Sequence, residues 1–204
     1  MIRSRSILQQ YRSTCLSASM PLATSIALSV VACSPGVDPP EVRLNPSPQQ
    51  RYQITLTIEE PPAPVEIQGR VQFFIANKDC MPFSDRIAGT RPDSTFRMPL
   101  AFKQITPTTF VGHFFADAVM PENYYGLGEC RWNFTSAKAL IRMDGMEQSA
   151  GIPHDLVIAQ GAQVNLCRRP DAVGPTDMCF RTDTKPTPRV LKQNYIVSLK
   201  ASKD

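Results

Sequence analysis

The segment Tyr52-Gln-Ile-Thr-Leu-Thr-Ile58 alternates apolar and polar side chains without a fault. A period of two is the period of a β-strand, and it puts all four apolar residues on one face. The same pattern recurs along the chain. Ile67–Ala76 carries Val71, Phe73 and Ile75 on one face, and Thr109–Asp117 carries Phe110, Gly112 and Phe114. Phe96–Ile105 reads as a strand that Pro99 confines to an edge or a bulge, because proline has no N–H for a ladder. Glu129–Met143 is the longest extended run, and Asp144-Gly145 after it is a strong hairpin-turn signal. Shorter strands are expected at about Asp155–Ala159, Gln163–Cys167 and Tyr195–Lys200. No helical stripe accompanies them. Short strands separated by turn residues predict an all-β fold, a two-sheet antiparallel β-sandwich, immunoglobulin-like or transthyretin-like in architecture.

Six cysteines bear on how such a sandwich is held. Cys15 and Cys33 lie near the N-terminus, and Cys80, Cys130, Cys167 and Cys179 lie within the strand-bearing region. No CxxC motif occurs and only two histidines are present, so the thiols do not form a zinc set. An even number in an oxidising compartment reads as two disulfides, for which three pairings are possible. Spacing favours Cys80–Cys130 with Cys167–Cys179, the second closing a short loop that contains Pro170, Gly174 and Pro175. Cys130, Trp132 and Phe134 fall at i, i+2 and i+4 and share one strand face, leaving Glu129, Arg131 and Asn133 on the other. A disulfide beside a buried Trp pins the sheets of immunoglobulin-like sandwiches, and Trp132 is expected in the core for the same reason.

The N-terminus is of a different kind. It contains Arg3, Arg5 and Arg12 and no acidic residue, followed by the mostly apolar stretch Pro21–Ala32. That stretch is short against the roughly 20 residues a membrane-spanning helix needs, and the layout is that of a secretory signal. Val30-Val31-Ala32-Cys33 resembles the lipobox of bacterial lipoproteins. The resemblance implies that Cys33 receives a lipid, that residues 1–32 are removed, and that Cys33 becomes the first residue. Ser34, where an Asp would favour retention at the inner membrane, implies an outer-membrane protein facing the periplasm. Residues 34–50 hold five prolines, which prevent a helix, so residues 33–50 are expected to form a stiff lipidated tether. Residues 51–204 are then one sandwich domain.

Loss of the signal changes the charge balance. Three arginines leave the 22 basic residues, so 19 face 18 acidic ones and the net charge falls to about +1. Nucleic-acid binding calls for a basic surface, which this balance does not supply overall. Arg168, Arg169, Arg86 and Arg91 read as solvated loop charges rather than an anion site.

No nucleophile elbow, zinc-protease helix, phosphate loop or dinucleotide fingerprint occurs, and no metal or cofactor is expected. His113 lies on the strand face opposite Phe110 and Phe114, with Asp117 and Glu122 as the carboxylates nearest in sequence. His154 and Asp155 are neighbours on an expected strand and would point to opposite faces. Asp79, Asp85 and Asp93 lack calcium-loop spacing. The chain therefore reads as non-enzymatic, with a hydrolase the weakest of the alternatives.

Two long loops carry the functional expectation. Asn77–Thr95 has no strand period, and Ala118–Leu127 contains Tyr124-Tyr125-Gly126. Long loops in compact domains are commonly functional, and Tyr and Arg often dominate binding energy. A Cys80–Cys130 link would hold both loops at one end of the sandwich. Tyr124, Tyr125, Arg86 and Arg91 are thus the candidate partner-binding residues. The expected partner is another envelope protein, which would make the chain an inhibitor or immunity protein. The alternative is a structural or assembly lipoprotein of an envelope complex.

Overall fold

The computed structural model describes residues 41–85, 87–172 and 179–204, all within one compact unit, Gly36–Asp204. The expected signal segment, Cys33 and Arg86 lie outside the described residues. In chain order the strands are β1 (Arg51–Glu59), β2 (Glu66–Ile75), β3 (Thr95–Leu100), β4 (Phe102–Thr106), β5 (Thr109–Phe115), β6 (Trp132–Met143), β7 (Met146–Pro153), β8 (Ala162–Arg168), β9 (Phe180–Thr182) and β10 (Asn194–Lys203). Two short helices, α1 (His154–Ile158) and α2 (Pro188–Leu191), lie between strands. The strands form a six-stranded sheet, β4-β5-β1-β10-β8-β9, and a four-stranded sheet, β3-β2-β6-β7, each antiparallel throughout. This is the two-sheet sandwich that the alternation predicts.

The core is the sum of the inward faces. β1 contributes Tyr52, Ile54, Leu56 and Ile58, and β10 contributes Tyr195, Val197, Leu199 and Ala201. From the smaller sheet come Val71 and Phe73 of β2 and Phe134, Ala137, Ala139 and Ile141 of β6. Phe114 of β5 reaches Phe134 across the gap with ring centroids 4.8 Å apart. Alternation slips once on β6, where the register shifts between Gln72 and Phe73 of β2. At that bulge Thr135 donates from Oγ1 to the Gln72 carbonyl at 3.0 Å. Asp144 and Gly145 both take positive φ, 47° and 76°, as a tight hairpin between β6 and β7 requires.

Several expectations need correction. The run Phe96–Ile105 is two strands in different sheets. β3 borders the smaller sheet, β4 borders the larger, and the chain crosses between them at Ala101. Pro99 accordingly sits on an edge strand. The passage is possible because glycines stand beside it. A Cβ on Gly69 would lie 2.5 Å from the Leu100 carbonyl oxygen, and one on Gly112 would lie 3.1 Å from that of Ala101. Asp155–Ala159 is not a strand, since His154–Ile158 forms the short helix α1, which buries Val157 in the core. β7 and β9 were not anticipated as strands.

The expected tether is also shorter at its distal end. Val42 packs against the core and Leu44 bridges to Val119. The Asp117 carboxylate accepts the backbone N–H groups of Gln49 and Gln50 at 2.8 and 3.0 Å. Docking against residues 117–120 thus begins about nine residues before the first strand, whose start is Arg51.

The second disulfide, Cys167–Cys179, lies where β7 and β8 bring the two sheets together. Gln148, only 2% exposed, spans that seam by donating to the Arg168 carbonyl at 2.7 Å and accepting from the Arg168 N–H at 3.0 Å. A buried amide satisfied on both ends fixes the relation of the sheets there.

Gly69→Ala should destabilise the fold by about 1–3 kcal/mol, the usual range for overpacking, because the obstacle is a backbone carbonyl. Gly145→Ala should strain only a surface turn. Denaturant titration of both variants checks the difference, and an unaffected Gly69→Ala would show that the crossing tolerates a side chain.

Candidate functional site

The most elaborated part of the surface is the end of the sandwich where the loops 77–95 and 118–131 meet. The Cys80–Cys130 disulfide joins them, with a Cα–Cα distance of 5.3 Å and 50 residues between the cysteines. Both expected disulfide pairings are the ones present. Cys80 and Cys130 are buried with Ile75 and Met81 in a small second core, onto which Tyr124, Tyr125 and Trp132 pack. Asn77 works as a hub beside it. Its Nδ2 donates to the Glu129 carbonyl and its Oδ1 accepts the Arg131 N–H, each at 2.7 Å. Cys130 and Glu122 form a bridge whose backbone hydrogen bonds measure 2.8 and 3.3 Å. The two loops are therefore one cross-linked body rather than independent flaps.

Within this body the expected contact residues have definite places. Tyr124 and Tyr125 are half-buried. The Tyr124 ring meets Trp132 edge-on at 6.1 Å, and its hydroxyl donates to the Met120 carbonyl at 2.8 Å. The Tyr125 hydroxyl is buried without a hydrogen-bond partner among the described residues, and burial raises its pKa above the ordinary tyrosine value. These rings hold the loop down. Arg91 is also engaged internally: it donates from Nη1 to the Met81 carbonyl, and its guanidinium lies 4.1 Å over the Phe83 ring. Arg86 is outside the described residues. Trp132 is only partly buried, its indole Nε1 lacking a partner among the described residues, and it stacks edge-on with Phe96 as well as Tyr124.

Three other side chains face solvent from the same loops. Phe83 is 46% exposed, Leu127 55% and Ile87 fully exposed. Ile87 sits on a tight turn in which the Asp85 carboxylate accepts the N–H groups of Ile87 and Ala88 at 2.8 and 3.0 Å. The turn is closed by paired backbone bonds between Asp85 and Thr90. Sequence reasoning passed over these apolar residues because they follow no strand period. An apolar residue within a turn built from Asp, Gly and Thr was the available signal.

The histidines do not assemble a catalytic group among the described residues. His113 is exposed, with Nε2 3.5 Å from the Asp204 carboxylate, which also meets Arg51 at 3.3 Å. The expected neighbours are occupied elsewhere: Asp117 holds backbone amides, and Glu122 accepts from Arg43 at 2.9 Å. That pairing holds the Arg43 pKa above its ordinary value. His154 lies exposed at the start of α1, near the Phe134 ring at 5.9 Å. No cluster of three metal-ligating side chains occurs among the described residues. A groove of about 600 Å³ crosses the outer face of the larger sheet beneath Asp183–Pro186. Glu59, Asp155, Asp183, Arg181 and Lys185 line it over a floor that includes Val164 and Ile196, with no imidazole or thiol among the lining residues.

Fold and loop end together define a disulfide-linked β-sandwich that presents apolar side chains on a braced loop platform. No family model, no curated protein and no solved structure matches this chain.

Opening Cys80–Cys130 by Cys80→Ala with Cys130→Ala should cost about 2–5 kcal/mol, as for native disulfides in small exported domains. The platform should loosen before the sandwich does. Limited proteolysis should then cut within residues 83–90 while the β1–β10 pair stays intact. Equal protease resistance in parent and variant would show that the hydrogen bonds of Asn77 hold the loops without the disulfide.

Proposed function

We propose that this chain is a lipid-anchored, non-enzymatic protein of the bacterial cell envelope whose domain binds another envelope protein through the loop platform. The anchor rests on the lipobox-like tetrad Val30–Cys33. The binding surface rests on one observation: Phe83, Ile87 and Leu127 stand exposed on loops that a buried disulfide and a partly buried aromatic cluster hold in place. Apolar surface in water is unfavourable, by about 25 cal/mol per Å², and burying it against a partner recovers that cost. A braced platform also loses little loop entropy on binding. Tyr124, Tyr125 and Arg91 support this surface from beneath, and their replacement would act mainly by loosening it.

Two measurements test the reading. Cys33→Ala should abolish lipidation and release the chain from the membrane fraction or leave it as unprocessed precursor. A processed Cys33→Ala protein that still sediments with membranes would end the anchor reading.

For the platform, the full chain is used to capture partners from detergent-solubilised envelope, with partners identified by mass. A partner held through the platform should be lost by Ile87→Asp with Leu127→Asp, its affinity falling at least about tenfold, roughly 1.4 kcal/mol. It should be retained by Ile105→Asp, which alters a residue 56% exposed on β4. Retention by the double variant would move the site off the platform. Capture of an enzyme that loses activity in the complex would specify an inhibitor.

A further inference from the structure

The outer face of the smaller sheet carries an arrangement that the loop platform does not use. On β2, Val71 and Phe73 point inward, so Arg70 points out. On β6, Ala137 and Ala139 are buried, and Lys138 between them points out. On β3, Phe96 and Met98 pack against the core, and the exposed Arg97 faces the same side. Register places Arg70 directly opposite Lys138 and, on its other side, opposite Pro99. Arg97 is therefore the diagonal neighbour of Arg70. Directly opposed side chains sit about 5 Å apart at Cβ and diagonal ones about 7–8 Å.

These three cations have no ion-pair partner among the described residues. The Arg70 Nε is buried and takes no hydrogen-bond partner among the described residues either. Like charges directly opposed across a sheet oppose its formation. Here the face does nothing to relieve them. Its two carboxylates, Glu66 and Glu147, both stand opposite Arg142, and Glu147 is bonded to it at 2.7 Å. Lys138 and Arg142 are four residues apart on one strand, about 13 Å, beyond the roughly 8 Å over which physiological salt lets charges act. The remaining positions around the three cations are neutral: Gln72, Ser136, Gly151 and Pro99. A chain with a net charge of about +1 outside residues 1–32 has thus concentrated unneutralised positive charge on one sheet face.

We propose that this face docks an acidic, extended segment of a partner protein, at a site separate from the loop platform and not dependent on it. Charge complementarity selects an anionic partner. Spacing suits an extended chain: the cations stand about 5 and 7–8 Å apart at Cβ across three strands, and carboxylates at alternate positions of a strand, recurring about every 7 Å, come within reach of these long side chains. The composition of the face argues against a lipid surface. Membrane-surface binding couples cations to apolar side chains that enter the lipid. None of the exposed large hydrophobic residues lies on this face, where Phe74 and Leu140 are half-buried.

The test uses the full chain in neutral detergent with a fluorescent oligoglutamate peptide, read by anisotropy at low and physiological salt. Binding should weaken as salt rises. Arg70→Gln with Lys138→Gln should weaken it at least about tenfold, and Arg97→Gln alone should give a smaller loss. Thermal unfolding of the double variant should occur at or above the parent temperature, because a repulsion is removed. A charge-matched control, Lys103→Gln with Lys200→Gln on the larger sheet, should change affinity less than about twofold, as rim charges do. No binding of oligoglutamate at low salt overturns the proposal, and so does an equal loss in the control, which would report net charge alone. Vesicles containing phosphatidylglycerol form the second arm. Binding to vesicles through Arg70 and Lys138 without binding to oligoglutamate would replace the protein partner by lipid headgroups and overturn the proposal as stated. Loss in the Arg70 and Lys138 variant with intact capture through Ile87 and Leu127 would establish two separate surfaces.

Discussion

Burial of two inner sheet faces against each other is the interaction on which everything else depends. Neither sheet is stable with its apolar face in water, and each supplies the other with cover. Ile54, Leu56 and Ile58 of β1 are removed from solvent only because Phe73, Phe134 and Ile141 lie across the gap. The chain must then pass between layers without opening the core. At one edge it does so through Ala101, where Gly69 and Gly112 make room for backbone to run beside backbone. At the other edge Gln148 satisfies the terminal backbone of β8 from the neighbouring sheet, beside Cys167–Cys179.

The loop platform is an extension of that scheme by other means. Loops without a strand period cannot share the main core, so they have a small one of their own, made of a disulfide, Ile75, Met81 and the rings of Tyr124, Tyr125 and Trp132. Tyrosine and arginine side chains, of the types that often dominate binding, are used here to hold the loops. The side chains left at the surface are apolar: Phe83, whose ring also takes the Arg91 guanidinium, and Ile87 and Leu127. The outward face of the smaller sheet differs in chemistry, being polar and cationic.

Reading the chain residue by residue succeeds where one local rule decides the outcome. Alternation located β1, β2, β5, β6, β8 and β10 to within a few residues, because a half-buried strand has no other way to sort its side chains. Asp144-Gly145 made its turn because both positions must take positive φ. It failed where two rules conflicted. His154–Ile158 has the apolar content of a strand, but it follows Pro153 at the end of β7 and turns to set Val157 into the core. Phe96–Ile105 looked like one strand since its pattern continues across Ala101, although the chain changes sheets there.

The sequence by itself determined that the chain would be all-β, that two disulfides were available to it, and which residues could face inward. Those follow from periodicity and thiol chemistry, which are local. Tertiary structure alone decided which strands became neighbours and therefore which outward side chains met. Arg70 and Lys138 are 68 positions apart in the sequence, and only the register of β2 against β6 sets them face to face. Tyr124 and Tyr125 became supports because the Cys80–Cys130 link and Trp132 lay beneath them, a fact of packing that no spacing along the chain contains.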